Sequence, residues 1–232
     1  MTGSQAQLTI PLYQRELNDF ENFHLGRNGE LLKQLSGLVS EDRFQGIWLW
    51  GEPGRGRSHL LQASCQAMDS VSQQQALYLP LALLPRDPLV LEGLQATLVA
   101  LDDVDAWLGD HALEVSLMAL YQDRLAAGGR LLFAARQSAQ QTRFALPDLA
   151  SRVRALPGYE VLPLDDEGLR AVLSRVARRQ GLILSDSVLD FWLHRSVRSL
   201  PELLRQLEAL DARSLSEQRR VTIPLVKEVL AL

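Results

Sequence analysis

Eight residues, Gly51-Glu-Pro-Gly-Arg-Gly-Arg-Ser58, follow directly on the apolar run Ile47-Trp-Leu-Trp50 and have the composition of a loop that holds phosphate. In the pattern GxxxxGK[ST], glycines let backbone N–H groups close around phosphates, a lysine reaches the β- and γ-phosphates, and a hydroxyl serves Mg2+. Here Ser58 keeps the hydroxyl and Arg57 takes the lysine slot. Arginine is always charged and presents a planar fork where lysine is a compact point charge. Attraction to phosphate therefore persists while the geometry at a γ-phosphate changes. Gly51, Pro53, Gly54, Arg55 and Gly56, with Arg57, Ser58 and His59 at the start of the next helix, are the expected nucleotide-binding set. The chain has only two lysines, Lys33 and Lys227, so Arg57 also fits a general preference for arginine. A glycine-rich turn without a ligand would match the same letters by chance. A strand before the loop, a helix after it and an acidic strand end further along favour the phosphate reading.

That acidic strand end is Thr97-Leu-Val-Ala-Leu-Asp102-Asp103. In sites of this kind an aspartate at a strand end holds Mg2+, usually through water, and the next acid helps position an attacking water. Asp102 suits the first task, with Ser58 as the other metal-side group. Asp103 is shorter than the glutamate usual in the second task, and a helix-capping role in Asp103-Val-Asp105 is its structural alternative. Two further features stand apart from the loop. Leu146-Pro-Asp-Leu-Ala-Ser-Arg152 carries an arginine whose ordinary alternative is a surface ion pair worth about 0–1 kcal/mol. The segment Gln7-Leu-Thr-Ile-Pro-Leu12 is either an unstructured start or a short extended docking peptide.

Positioning these groups requires a sheet. Apolar runs at Gly46–Trp50, Ala76–Leu79, Ala96–Leu101, Arg130–Ala135 and Tyr159–Leu162 read as buried strands separated by helical patterns, which is an α/β layout with a parallel sheet. From Asp165 onward the pattern is helical only: Glu167–Gln180, Ser185–Arg195, Ser199–Ser214 and Ile223–Leu230, with Ser185 and Ser199 as N-caps. Thr222 can cap the last of these, with Pro224 in its first turn. The expected division is a tail over 1–18, an α/β nucleotide-binding domain over 19–163 and a small helical domain over 164–232.

Composition limits the partners. The 232 residues suffice for a substantial core. The net charge of −4 and pI of about 5.6, with dispersed basic residues, argue against a surface built to grip DNA phosphates. A single cysteine, Cys65, suits a reducing compartment. No long apolar stretch or signal-peptide pattern occurs, so a cytoplasmic location is expected. His24, His59, His111 and His194 are scattered without the spacing of a zinc site.

The order of phosphate loop, Asp102-Asp103, Arg152 segment and terminal helical group resembles the AAA+ ATPases, particularly the initiator DnaA. Leu146–Arg152 looks like the arginine-finger segment of that group. Together with Gln7–Leu12 it makes the chain resemble the Hda family of DnaA-related regulators. Asp19-Phe-Glu-Asn-Phe23 looks like the segment beside the adenine, with Phe23 as its contact. The resemblance implies an α/β AAA+ domain followed by an all-helical lid. It further implies Arg152 acting in trans on ATP bound by DnaA, and Gln7, Leu8, Ile10, Pro11 and Leu12 docking on the DNA polymerase III sliding clamp, the β ring. It also implies that the same arginine face could contact a sister copy. DnaA carries a helix-turn-helix domain for its DNA boxes, whereas this chain stops at Leu232 after the lid. The lid segment holds 11 basic and 10 acidic residues, so direct sequence-specific DNA binding is not expected.

Two departures from the wider group concern the γ-phosphate. Pro201 stands where a nucleotide-sensing arginine is expected in the lid, with Arg198 and Arg205 as neighbours. Ala134 and Ala135 stand near the polar residue that often ends the fourth strand. With Arg57 and Asp103, these point to ADP or another nucleoside diphosphate as the bound nucleotide, with Mg2+ as a companion ion. Intrinsic ATP hydrolysis would be weak or absent. The alternatives are an autonomous AAA+ ATPase or loader and a DNA-binding initiator paralogue.

Overall fold

The computed structural model describes residues 18–38, 44–71 and 75–231. The chain divides into two compact units. The first takes the described residues up to Phe23, then Glu30–Gly51 and Gly56–Glu160. The second takes His24–Gly29, Glu52–Arg55 and the chain from Val161 onward.

The first unit is built on five parallel strands in the order β2-β3-β4-β1-β5. They are β1 (Gln45–Trp50), β2 (Ala76–Pro80), β3 (Leu98–Asp102), β4 (Arg130–Ala135) and β5 (Gly158–Glu160). Every residue of β3 and β4 is buried, which explains why these runs are continuously apolar instead of alternating. Helix α1 (Gly29–Gly37) precedes β1, α2 (Arg57–Ser70) follows the loop, and α3 (His111–Ala126) and α4 (Pro147–Arg154) flank β4 in sequence. On one sheet face Trp48, Val99, Leu101, Leu131 and Phe133 pack with Leu117, Leu120 and Tyr121 of α3 and with Leu149 and Val153 of α4. Helix α2 packs against β2 and β3.

The expected strands are all present, with shifted ends. β3 starts at Leu98 and runs on to Asp102, and β5 lies at Gly158–Glu160 because it takes its register from Trp48–Trp50. β5 is a sheet edge with partly exposed residues, where an apolar run is a weak marker of the paired segment.

The second unit holds four helices: α5 (Asp166–Arg179), α6 (Asp186–Leu193), α7 (Leu200–Glu217) and α8 (Ile223–Leu230). Their apolar stripes meet around the wholly buried Trp192, with Leu173, Leu203, Leu207, Leu210 and Leu225. The Trp192 indole N–H donates to Gln206 Oε1 at 2.6 Å, so this large ring is buried without leaving a donor unpaired. Ser185, Ser199 and Thr222 occupy the N-cap positions of α6, α7 and α8, but none of their side chains makes a capping hydrogen bond. The Ser185 hydroxyl instead meets that of Ser187 at 3.0 Å. Asp165 is the working cap here, accepting from Gly168 N–H at 2.8 Å. Among the described residues no helix is long and apolar enough to cross a membrane.

Candidate functional site

The site is built where β1 ends and α2 begins. Gly51 N–H donates to the Ala135 carbonyl at 3.3 Å, tying the start of the loop to the end of β4. Gly56, with φ 97°, is the N-cap of α2, a backbone conformation that L side chains rarely adopt. The first helical bond runs from Leu60 N–H to the Gly56 carbonyl at 3.0 Å. The amides of Arg57 and Ser58, ahead of it, have no acceptor within the helix, and Gly56 has no side chain to supply one. Such a terminus, with its positive dipole end, favours an anion.

Arg57 strengthens that preference. Its side chain is more than nine-tenths buried, Nη2 lies 3.2 Å from Asp103 Oδ1, and Nη1 is buried with no hydrogen-bond partner. A buried guanidinium nitrogen without an acceptor is costly, and a phosphate oxygen would satisfy it. The loop and Arg57 thus fit a phosphate group. The segment from Asn18 to Phe23 lies against the same helix. Phe23 is packed on Gly56 so closely that a Cβ added there would come within 2.9 Å of the ring. The Phe23 and His59 rings meet edge-on at 5.5 Å, and His59 Nε2 is 2.8 Å from the Asp19 carbonyl. Asn18 donates to Gln62 Oε1 at 2.6 Å. Phe23 and His59 therefore offer an aromatic edge beside the loop, as a base-contacting segment requires.

The two aspartates differ in setting. Asp102 ends β3 and is 2% exposed. Its Oδ2 accepts from the Tyr78 hydroxyl at 2.7 Å, and its Oδ1 accepts from Asp103 N–H at 2.9 Å. Burial, followed by the charge of Asp102, pushes the Tyr78 phenol well above its ordinary range, so it stays a donor at neutral pH. Asp103 is at the N-cap position of a short 3₁₀ turn over Val104–Ala106 with φ 49°, yet it makes no capping bond. The capping role is not taken up because the carboxylate faces Arg57. Burial and then the neighbouring Asp102 raise its carboxyl above the usual range, and Arg57 offsets only part of this. Asp103 is nonetheless the ion-pair partner of Arg57, at 3.2 Å. Ser58 is exposed in the first turn of α2. Both oxygens of Asp102 thus already accept a hydrogen bond within the protein.

Helix α4 carries Arg152 on an exposed face. Its guanidinium lies 5.8 Å from the centroid of the Tyr121 ring, and it has no ion pair among the described residues. The helix is fixed at both ends. Arg154 donates to the carbonyls of Ala139 and Thr142 at 3.2 and 3.3 Å. At the other end Glu114, wholly buried on α3, accepts from the N–H groups of Gly109, Ala145 and Leu146 at 2.7, 2.9 and 2.7 Å.

Within the second unit, Glu52–Arg55 form the crest of the loop, with Arg55 N–H donating to the Glu52 carbonyl at 3.3 Å. Gly54 has φ 80°, and a Cβ placed on it would lie 2.4 Å from Pro201 Cγ. Pro201 opens α7 at a position whose N–H needs no partner, so the helix tolerates it. Arg198 pairs with Asp166 at 3.0 Å and Arg205 with Glu202 at 2.6 Å, both at exposed positions.

Residues 165–230 match the family model described as "Hda, lid domain". Domain III of the replication initiation protein DnaA from Thermotoga maritima superposes with a TM-score of 0.80 at 17% identity, covering 92% of this chain and 95% of that one. The helical segment thus matches the Hda lid model, and the chain shares the fold of DnaA domain III. AMPPCP-bound DnaA from Aquifex aeolicus matches with a TM-score of 0.67 at 18% identity, over 86% of this chain and 68% of that one. The RuvB Holliday junction branch migration motor of Thermotoga maritima matches with a TM-score of 0.71 at 15% identity, over 92% and 71%. At these identities the structural matches speak to the AAA+ fold.

Within an AAA+ frame the residues expected at the γ-phosphate are apolar or engaged elsewhere. Ala134 and Ala135 are wholly buried at the end of β4, and Arg57 holds Asp103. Gln7, Leu8, Ile10, Pro11 and Leu12 lie outside the described residues. The structure adds two groups that the sequence did not mark. Tyr78 becomes visible only through the β2–β3 register. Glu114 had one sequence signal, a carboxylate amid the apolar residues of Ala112-Leu-Glu-Val-Ser-Leu.

Proposed function

We propose that this chain is a nucleotide-binding adaptor that presents Arg152 to ATP held by DnaA and so promotes its hydrolysis, restraining re-initiation of replication. The observation that carries this reading is the contrast between two arginines. Arg57, in the chain's own loop, is buried and tied to Asp103, whereas Arg152 is exposed on a helix secured at both ends and has no carboxylate partner among the described residues. An arginine brought to a γ-phosphate offsets charge that develops in the transition state, with an effect of about 10³–10⁵ in rate.

The bound nucleotide in this reading is ADP or another nucleoside diphosphate. The amides of α2, Arg57 Nη1 and the glycines of the loop hold the phosphates, and Phe23 and His59 lie by the base. The nucleotide secures the surface that presents Arg152 and is not turned over. Gln7, Leu8, Ile10, Pro11 and Leu12 tether the chain to the β sliding clamp in the cytoplasm. A short peptide of this kind binds weakly by itself, and the symmetric ring together with a second contact to DnaA raises the effective affinity.

The test is release of inorganic phosphate from ATP-loaded DnaA, with and without this chain and DNA-loaded clamp. Release that needs all three supports the adaptor. Equal release by this chain alone with ATP would assign it to the autonomous ATPases instead.

A further inference from the structure

The carboxylate at the end of β3 is compensated from within the protein. Asp102 pairs in the parallel ladder with Pro80, and Tyr78 stands two residues earlier on the same face of β2, so its phenol reaches the carboxylate along the diagonal. The hydroxyl donates to Asp102 Oδ2 at 2.7 Å, while the backbone N–H of Asp103 holds Oδ1 at 2.9 Å. Ser58 and Gln62 stand on successive turns of α2. Asp102, the carboxylate that a phosphate-bound cation would use, is thus already in contact with a hydroxyl group. Mg2+ requires near-octahedral oxygen ligands at short range and keeps several of its waters, so a phenol hydrogen-bonded to the carboxylate occupies space the ion needs.

Phosphate charge has another source of compensation here. Arg57 Nη1 is buried without a partner, and the amides of Arg57 and Ser58 have no helical acceptor.

We propose that the Tyr78 hydroxyl takes the place of a divalent cation at Asp102, so that this site binds a nucleoside diphosphate without requiring Mg2+. The inference rests on the nucleotide-binding reading given above. The exchange is one of hydrogen bonds and charge, with no covalent step. Asp102 keeps a donor in place of a metal, and the diphosphate is neutralised by Arg57 and the helix terminus.

The experiment is fluorescence anisotropy of mant-ADP with the full chain, in excess Mg2+ and in EDTA, for the wild type and Tyr78→Phe. The expected wild-type dissociation constants agree in the two buffers. Tyr78→Phe frees Asp102 Oδ2 and gains affinity in Mg2+ over EDTA by about tenfold or more. Loss of wild-type affinity in EDTA by a similar factor overturns the proposal while leaving nucleotide binding intact. Failure of the wild type to bind mant-ADP in either buffer overturns the nucleotide reading and the inference with it. A Mn2+ titration of the ADP-loaded wild type, read by electron paramagnetic resonance, gives a second result independent of the variant. Free Mn2+ throughout is expected, and stoichiometric capture of the ion contradicts the proposal.

Discussion

Glu114→Gln isolates the group that anchors the arginine-bearing helix. The native carboxylate is wholly buried and accepts three backbone N–H groups: Gly109 and Ala145 on Oε1, and Leu146 on Oε2. Glutamine is nearly the same size and keeps one acceptor oxygen, which can serve Gly109 and Ala145. Its amide nitrogen then faces the Leu146 N–H, donor against donor. A buried donor left unpaired costs about 1–3 kcal/mol, and the two remaining bonds lose their charge assistance, so the expected destabilisation is about 2–3 kcal/mol. At roughly 2–4 °C per kcal/mol for a chain of this size, the midpoint of thermal unfolding falls by about 4–12 °C. Ala145 and Leu146 lead directly into α4, so the same change loosens the platform of Arg152. Stimulation of DnaA-bound ATP hydrolysis therefore drops while mant-ADP affinity stays at the wild-type value. Differential scanning calorimetry with the anisotropy assay reads both. A midpoint within 2 °C of wild type, with stimulation intact, would show that the three amides have other support and that Glu114 does not position α4.

Arg57→Ala removes the buried guanidinium that meets both Asp103 and the phosphates. A charge-assisted hydrogen bond is worth about 1.5–3 kcal/mol, so ADP affinity measured by calorimetry falls roughly 10- to 150-fold. Arg57→Lys keeps the charge, loses the fork to Asp103 and falls between the two. Equal affinity in all three proteins would remove Arg57 from the binding set. Gln7→Ala abolishes capture of the chain on immobilised sliding clamp while the unfolding midpoint and ADP affinity remain at wild-type values. Undiminished capture takes Gln7 out of the tether.

Much of this architecture was legible because burial leaves plain marks on sequence. β3 and β4 are covered on both faces, so each reads as an unbroken apolar run, and the helices of the second unit carry stripes that converge on Trp192. Glycines that need positive φ mark the loop at Gly54 and Gly56. Element ends were less legible because they depend on pairing and termination. Helix α7 runs to Glu217 and stops where Gln218 turns left-handed at φ 53°, and α6 stops at Leu193 although its apolar pattern could continue. The caps at Ser185 and Ser199 have the right residue type, but their hydroxyls cap no backbone N–H of the helix. The polar wiring was least legible. That Asp103 pairs with Arg57, that Tyr78 reaches Asp102, and that Glu114 gathers amides from two loops all depend on tertiary placement of residues far apart in the chain. No local spacing encodes it.

In the proposed function Arg152 acts on a nucleotide held by another protein. The most direct measurement is single-turnover phosphate release from ATP-loaded DnaA with DNA-loaded clamp, comparing the wild-type chain with Arg152→Ala. Arg152 is exposed and among the described residues its side chain contacts the Tyr121 ring, so the variant is expected to keep its fold, its ADP affinity and its clamp capture. Its stimulation of phosphate release is expected to fall by about 10³-fold or more, to the rate of DnaA alone. Stimulation by Arg152→Ala equal to that of the wild type would rule out a trans-acting role for Arg152.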